Sequence, residues 1–236
     1  MTYGYIMTVS QYISIGQMLI VGRKEKSVGT KERKEREKAA RRDAILEAAK
    51  SVFFERGYHT ATMDQIAEKV ELSKGSLYLH FPSKEELYIS LLVEGLAELC
   101  KRFDQAVQGS WGWEEKLLRI ADAYYGFYQE NPNYFKILFF FQHGEIASKV
   151  SDQLYQACFN KGTQCLDFIS RAIQEGMDAG EIKQQDPAAQ AVVLWGAFNG
   201  VFLLYEDEDH RKLIPVSLDQ IVHTSLEMFL NGLKKR

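Results

Sequence analysis

The sequence has few of the residues that build disulfide scaffolds. It contains three cysteines, Cys100, Cys158 and Cys165, and none of them belongs to a CxxC pair. A disulfide framework is therefore not expected, and a reducing cytoplasm is the expected location. Cys158 and Cys165 are seven residues apart, a spacing that fits one helix face. We interpret them as small buried core residues, with a thiol sensor as the alternative.

Common catalytic and metal-binding patterns are also missing from the sequence. It has no glycine-rich phosphate loop, no HExxH pair and no GxSxG motif. Its five histidines, at positions 59, 80, 143, 210 and 223, are scattered without the spacing of metal ligands. We therefore predict that the protein is not an enzyme and holds no metal or cofactor.

The apolar segments do not have the pattern of a secretory signal or a clear membrane span. Residues 1–22 are mildly apolar but lack the positively charged start of a signal peptide, so we interpret them as a disordered tail. Residues 188–205 are apolar on nearly every face, but Gln190 and Asn199 interrupt them and an acidic run follows. We expect no membrane-spanning segment.

Charge is divided unevenly along the chain, although the net charge is only −3. Residues 1–90 carry 15 Lys and Arg against 12 Asp and Glu, whereas residues 91–236 carry 14 against 20. This asymmetry suits a basic contact module joined to an acidic body. Within the basic part, residues 23–42 form a charged run with helical i,i+4 pairs, which predicts either a solvated helix extension or a basic arm that reaches phosphates or a minor groove.

Residues 39–87 have the pattern of three helices. An amphipathic stretch at 39–56 ends before Gly57 and predicts a first helix. Thr62 with Gln65 has the spacing of a capping box, and Ser83 with Glu86 repeats it, while Ser73 can cap a short helix between them. Two short helices joined by a tight turn, the second rich in small, polar and basic residues, are typical of a helix-turn-helix.

The residue identities in this region resemble the TetR family of bacterial transcriptional regulators. The resemblance rests on Gly57-Tyr58, Thr62-Met63, Ile66-Ala67 and residues 73–87, which read SKGSLYLHFPSKEEL. It implies an all-α fold with an N-terminal three-helix helix-turn-helix DNA-binding domain and a C-terminal helical ligand-binding and dimerisation domain. We place these domains at residues 37–85 and 86–236, after a disordered or basic N-terminal extension at residues 1–36.

Two positions depart from the family pattern. Ala61 stands where the family often has threonine, and Glu71 stands at a turn position that is commonly glycine. If that position requires a positive φ, a residue with a Cβ costs on the order of 1 kcal/mol.

The resemblance also implies which residues contact DNA. The helix after Ser73 would enter the major groove, with Lys74 on a guanine edge or a phosphate. Tyr78 and His80 would contact phosphate or sugar, with a packing aromatic and a helix-end residue as the alternatives, and Leu77 and Phe81 belong to the core. The predicted DNA-binding residues are Thr62, Ser73, Lys74, Gly75, Ser76, Tyr78, His80 and Lys84.

The remaining sequence predicts a helical body. Residues 83–107 form one long helix that leaves the DNA-binding module without a flexible linker, so it can transmit a tilt. Further helices are predicted at residues 113–130, 150–179, 188–205 and 217–233. An unusual concentration of aromatic residues at 124–141 favours a pocket for an apolar or aromatic small molecule, with an ordinary core as the alternative. The predicted ligand-binding residues are Phe103, Tyr124, Tyr128, Phe135, Phe139, His143 and Trp195.

The segment at residues 188–205 requires cover on all faces because it is apolar on all faces. In a chain of this size, a second copy is the natural cover, and this agrees with the four-helix dimer interface that the resemblance implies. The predicted dimerisation residues are Trp195, Gly196, Gly200, Leu204, Leu226 and Phe229. A two-fold dimer would bind a palindromic double-stranded operator.

The sequence therefore predicts a homodimeric repressor that a small hydrophobic effector releases from its operator. An activator of the same fold and a helical interaction module that does not bind DNA are the alternatives.

Overall fold

The chain is helical throughout the part that the structure describes. The computed structural model describes residues 9–141 and 149–235, without the side chains of residues 9–28, 136 and 138–141. Within these ranges it has no β-strand, and one isolated bridge pairs Ile182 with Lys234, so the all-α prediction is confirmed. The helices are α1 (Val9–Arg56), α2 (Met63–Lys69), α3 (Lys74–His80), α4 (Lys84–Ala106), α5 (Trp113–Glu130), α6 (Pro132–Phe141), α7 (Asp152–Asp178), α8 (Pro187–Glu206), α9 (Glu208–Leu213) and α10 (Leu218–Leu233).

The N-terminal extension is helical: its charged run at residues 23–42 agrees with the predicted solvated helix extension, whereas residues 9–22 differ from the disordered tail that we expected. Helix α1 begins at Val9, so a disordered tail is wrong from that residue onward, and residues 1–8 lie outside the described residues. Residues 29–44 are exposed along the helix. A charged helix with its side chains in water needs no core of its own, because i,i+4 pairs such as Arg33 with Glu37 support it.

The end of α1, α2 and α3 form a compact head, and local sequence signals set its boundaries. Thr62 and Gln65 form the predicted capping box: the Thr62 hydroxyl accepts from the Gln65 amide, and the Thr62 amide donates to the Gln65 side chain. Ser73 caps α3 through the amide of Ser76. The turn between α2 and α3 contains Glu71 at a φ of 55°, so this position does have the positive φ at which a Cβ is costly.

Helix α4 runs from the head into the centre of the body. Its buried residues include six apolar residues at the three- and four-residue spacing of one helix side. Ser83 caps it through the Glu86 amide. The Glu86 carboxylate, expected to complete a second capping box, accepts instead from the amide of Ser151 at the start of α7, at 2.6 Å. These six apolar residues are Leu87, Leu91, Leu92, Leu96, Leu99 and Phe103.

Helices α8 and α10 form the outer layer of the body. Helix α8 packs on α7 and α10, and its inward face buries Ala191, Leu194, Phe198 and Phe202. By length and hydropathy α8 could cross a membrane, but only part of it is buried, and its outward face is apolar and exposed. One chain therefore leaves the outward apolar face of this helix uncovered.

Glu71→Gly is expected to stabilise the head. A left-handed conformation costs a residue with a Cβ roughly 1–2 kcal/mol, and glycine avoids that cost. We expect the free energy of unfolding to rise by about 1 kcal/mol in urea denaturation. Glu68→Gly, inside α2, is the matched control and should destabilise by about 1 kcal/mol. Equal losses in both variants would contradict the role of the φ angle.

Candidate nucleic-acid interface and ligand cavity

Helix α3 presents one face to the core and the other to solvent. Leu77 is fully buried and anchors the helix, and Phe81 just after it is also fully buried, as predicted. The predicted contact residues Ser73, Lys74, Gly75 and Tyr78 are exposed on the opposite side. Nothing lies within 4 Å of the position of a Cβ at Gly75, so the backbone here is open to an approaching surface. This exposed face is the candidate nucleic-acid interface.

The polar groups of this face are already held in place by neighbours. Lys74 Nζ lies 2.7 Å from a carboxylate oxygen of Asp64 on α2, and this pairing raises the pKa of the lysine. Ser73 and Ser76 share a hydrogen bond of 2.8 Å between their hydroxyl groups. An exposed ion pair is weak in water, so Lys74 can exchange Asp64 for a phosphate or a guanine edge.

The end of α3 is fixed to α1 by Arg42. Its guanidinium group donates to the carbonyl oxygen of His80 at 3.4 Å and lies 4.1 Å from the centroid of the Phe81 ring. It also donates to the hydroxyl of Ser90 on α4. His80 is half-buried beside this contact. Arg42 was not predicted as a site residue. It holds the end of α3 from the side of α1 and α4, and not from the exposed face.

Lys84 connects α4 to the loop between α1 and α2. Its Nζ donates to the carbonyl oxygens of Tyr58, at 2.8 Å, and Ala61, at 3.0 Å, and lies 4.4 Å from the centroid of the Tyr58 ring. Burial lowers the pKa of this amino group. An ammonium group has three N–H donors, so these two bonds still allow one to a phosphate. The phosphate contact stays a prediction, and the structure adds a structural role.

Leu79 is the residue of this face that sequence reasoning missed. Its side chain is 88% exposed on α3, between Tyr78 and His80. An exposed leucine on a helix that enters the major groove can contact a thymine methyl group. The sequence did contain a signal for it. Leu79 is apolar, but its position in the helical repeat places it on a different face from the core residues Leu77 and Phe81.

An apolar opening lies in the body between α4, α7 and α8. This outer cavity has a volume of about 260 Å³. It is open beside small residues of α7, Gly162 and Thr163, and nothing lies within 4 Å of a Cβ at Gly162. Its lining residues are Leu92, Leu96, Tyr155, Cys158, Phe159, Gly162, Thr163, Leu166 and Trp195. Among the residues that the structure describes, the lining has no charged side chain.

A second, smaller space lies deeper in the body. This inner cavity measures about 20 Å³ and shares Leu92, Leu96 and Trp195 with the outer cavity. Its other lining residues are Gly95, Leu99, Tyr124, Phe127, Tyr134 and Phe135. The Tyr124 hydroxyl donates to Asn199 at 2.7 Å, and burial holds the pKa of Tyr124 well above its ordinary value.

The predicted ligand residues divide into two groups. Tyr124, Phe135 and Trp195 line a cavity. Phe103 and Tyr128 do not belong to either lining but pack in an aromatic core, in which Tyr128 stacks on Phe202 with centroids 4.3 Å apart. Edge and stacked contacts fill the space around these two residues, as in an ordinary core, and their contact with a ligand stays a prediction. The side chain of Phe139 and all of His143 lie outside the described residues.

The predicted dimerisation residues also fall into two groups, one exposed on α8 and one packed against the core of the same chain. Gly196, Gly200 and Leu204 lie on the exposed apolar face of α8, and nothing lies within 4 Å of a Cβ at either glycine. Leu226 is 5% exposed and packs into the core of its own chain, because it lies on the inward side of α10. Trp195 stacks on Tyr124, and Phe229 is half-buried against the same core. The outer face of α8 consists of Val192, Val193, Gly196, Ala197, Gly200, Leu203 and Leu204.

Comparison with known proteins identifies the family. Residues 45–91 match the family model of bacterial regulatory proteins of the tetR family. The chain is 30% identical over 154 residues to the HTH-type transcriptional regulator YhgD of Bacillus subtilis (strain 168), covering 65% of this chain and 78% of YhgD. The chain belongs to the TetR family. It is a DNA-binding transcriptional regulator with a helix-turn-helix head.

Two further comparisons extend over the body of this TetR-family regulator. It is 32% identical over 142 residues to the HTH-type transcriptional activator FasR of Mycolicibacterium smegmatis, covering 59% of this chain and 62% of FasR. It also resembles in fold the transcriptional regulator FadR from Bacillus subtilis in complex with stearoyl-CoA. That structural match has a TM-score of 0.64 and 21% identity and covers 80% of this chain and 98% of FadR.

Tyr78→Phe is expected to weaken binding to every duplex equally. The change removes a hydroxyl that would bond a phosphate, and hydrogen bonds to charged groups contribute enough for about a tenfold loss of affinity. Phosphate contacts carry no sequence information, so the ratio of operator to random-duplex affinity should not change. Fluorescence anisotropy with the chain's own upstream DNA measures both.

Two variants accompany this measurement. Tyr125→Phe in the body is the matched control and should bind DNA as the wild type does. Leu79→Ala should change the preference at a single base pair in a selection from randomised duplexes. A shift in base preference with Tyr78→Phe would show that Tyr78 contacts a base.

Proposed function

We propose that this regulator binds a palindromic operator as a homodimer in the cytoplasm and that an apolar small molecule releases it, so that it acts as a repressor. The α3 face of each head would bind one major groove. Thr62, Ser73, Lys74, Gly75, Ser76, Tyr78, His80 and Lys84 would contact DNA, together with Leu79. The observation that carries the proposal is that one helix, α4, lines the cavities and also holds the head.

The cavity end of α4 supports this coupling. Leu92 and Leu96 line both cavities, and Lys84, two to three turns earlier, is bonded to head carbonyls. No loop separates these positions, since α4 is continuous from Lys84 to Ala106. An occupant that displaces the middle of α4 would therefore displace the head as well.

Tyr134 of α6 provides a second connection. It lines the inner cavity, and its hydroxyl donates to Glu94 at 2.7 Å, while Lys50 of the head lies 3.5 Å from the same carboxylate. The Tyr134 ring also contacts Phe54 of α1 edge-on, with centroids 5.8 Å apart. A Cβ at Gly95 would come within 2.6 Å of Tyr134, so α4 and α6 are too closely packed to move independently here.

The chemistry of the cavities favours an apolar effector. The described lining is mostly leucines and aromatic rings, with Cys158, Thr163 and two glycines, and the hydroxyls of Tyr124 and Tyr134 are bonded to Asn199 and Glu94. The FadR structure, which contains stearoyl-CoA, supports a ligand with a long alkyl chain. A cavity of about 260 Å³ lies just below the usual size of a ligand site, roughly 300–1,000 Å³. A modest expansion of the outer cavity would therefore be sufficient to hold a ligand.

The outer face of α8 supports the homodimer. Val193 is 57% exposed and Leu204 is 45% exposed, and the two glycines between them allow another helix to approach closely. Burying such a face removes apolar surface from water. A second copy related by a two-fold axis would present the same face, which makes the contact self-complementary.

Gly200→Glu is expected to separate the dimer without unfolding the chain. The new side chain has open space in one chain, but in a dimer it would place an unpaired carboxylate in an apolar contact, at a cost on the order of several kcal/mol. Size-exclusion chromatography with light scattering should show a monomer. Gly126→Glu on α5, which also has open space, is the matched control and should remain dimeric. A dimer in both variants would contradict this interface.

The proposed effector response is tested by a thermal-shift screen of apolar compounds, including straight-chain fatty acids. A ligand at about 100 times its dissociation constant stabilises the folded state by about 2.7 kcal/mol, which such a screen detects. Compounds that stabilise the protein should release it from its own upstream DNA. Gly162→Phe should fill the outer cavity and abolish both effects while leaving DNA binding intact. Gly126→Phe is the control and should respond as the wild type does. If the compound released the Gly162→Phe variant from DNA at the same concentration that releases the wild type, the outer cavity would not be the effector site.

Activation is the second candidate function, and the likeness to the transcriptional activator FasR favours it. The sign of regulation depends on where the operator lies relative to the promoter. Transcription in vitro from the chain's own upstream DNA, with and without the protein, distinguishes the two outcomes.

A further inference from the structure

One residue, Trp195, lies between the two cavities. The outer cavity and the inner cavity share Trp195 of α8 together with Leu92 and Leu96 of α4. The outer cavity continues toward α7, and the inner cavity continues toward α5 and α6. The indole ring and the two leucines therefore form the wall between a space of about 260 Å³ and one of about 20 Å³.

The Trp195 ring is held less firmly than Tyr124, the residue on which it stacks. Tyr124 on the inner side is fully enclosed, and its hydroxyl is bonded to Asn199 at 2.7 Å. Trp195 is only half-buried and stacks on Tyr124 with centroids 4.6 Å apart and planes 14° apart. A stacked aromatic pair shifts an equilibrium by roughly tenfold at most. The indole is thus the part of the wall that an occupant can displace most easily.

The inner cavity is suited to the apolar end of a molecule. Its described lining has no charged side chain, and its tyrosine hydroxyls are bonded elsewhere, Tyr124 to Asn199 and Tyr134 to Glu94. It has little room toward α6, because a Cβ at Gly95 would already lie 2.6 Å from Tyr134. The side that adjoins the larger outer cavity is the one lined by Leu92, Leu96 and Trp195.

We propose that Trp195 determines the length of the effector that this regulator accepts: in the position seen here it ends the outer cavity, and a longer alkyl chain reaches the inner cavity only by displacing the indole ring. This inference rests on the proposed apolar effector site. It assigns to Trp195 the selection between short and long chains, in addition to lining the cavity.

The test uses saturated fatty acids of 8 to 18 carbons as probes on the full-length wild type, Trp195→Phe and Trp195→Ala. Dissociation constants are measured by isothermal titration calorimetry, and folding is checked by circular dichroism. Each additional buried methylene is worth roughly fourfold in affinity. We expect Trp195→Phe, which retains a ring on Tyr124, to bind the longest acids at least about tenfold more tightly, with little change for the shortest. Trp195→Ala should extend the shift further.

Trp111→Phe is the matched control. Trp111 is in the loop before α5, lies under the Arg119 guanidinium at 3.8 Å, and lines neither cavity. Its chain-length profile should equal that of the wild type. An unchanged profile in Trp195→Phe, with acids bound, would overturn the role of Trp195 and leave the effector site standing. Failure of every acid to bind the wild type would overturn both.

Discussion

The structure depends on the continuity of α4. One end of this helix is attached to the head, where Lys84 bonds two carbonyl oxygens of the loop after α1. Its middle borders both cavities through Leu92 and Leu96. A helix with unbroken backbone hydrogen bonds behaves as a stiff element, so its two ends cannot change orientation independently. The position of the DNA-binding face is therefore tied to the state of the body.

The contrast between packed and open regions of the body follows from side-chain size. Where α5, α6 and α8 meet, rings such as Tyr128 and Phe202 stack and leave little space. Where α4 faces α7, Gly162 and Thr163 replace large residues, and the outer cavity opens. Small residues opposite leucines leave unfilled volume, whereas aromatic rings opposite one another fill it. The cavity is thus beside the aromatic cluster and not within it.

Helix α8 connects the remaining features. Its inward face contributes Phe198 and Phe202 to the aromatic core, Trp195 borders both cavities, and its outward face is apolar and exposed. Trp195 directly precedes Gly196 and lies five residues before Gly200, both on the outer face. An effector site and a dimer contact built on one helix would be coupled by geometry alone.

The sequence by itself determined most of the helices of the head and body and the capped starts of α2, α3 and α4. Capping side chains such as Thr62 and Ser73 act within three residues, so local physics is sufficient for them. Residue identities at 57–87 also predicted the family. Only the tertiary structure decided which aromatic residues line a cavity, that Leu226 faces inward and that Leu79 faces outward. These properties depend on which helices pack together and at what rotation, and hydrophobic periodicity does not distinguish a filled interior from an open one.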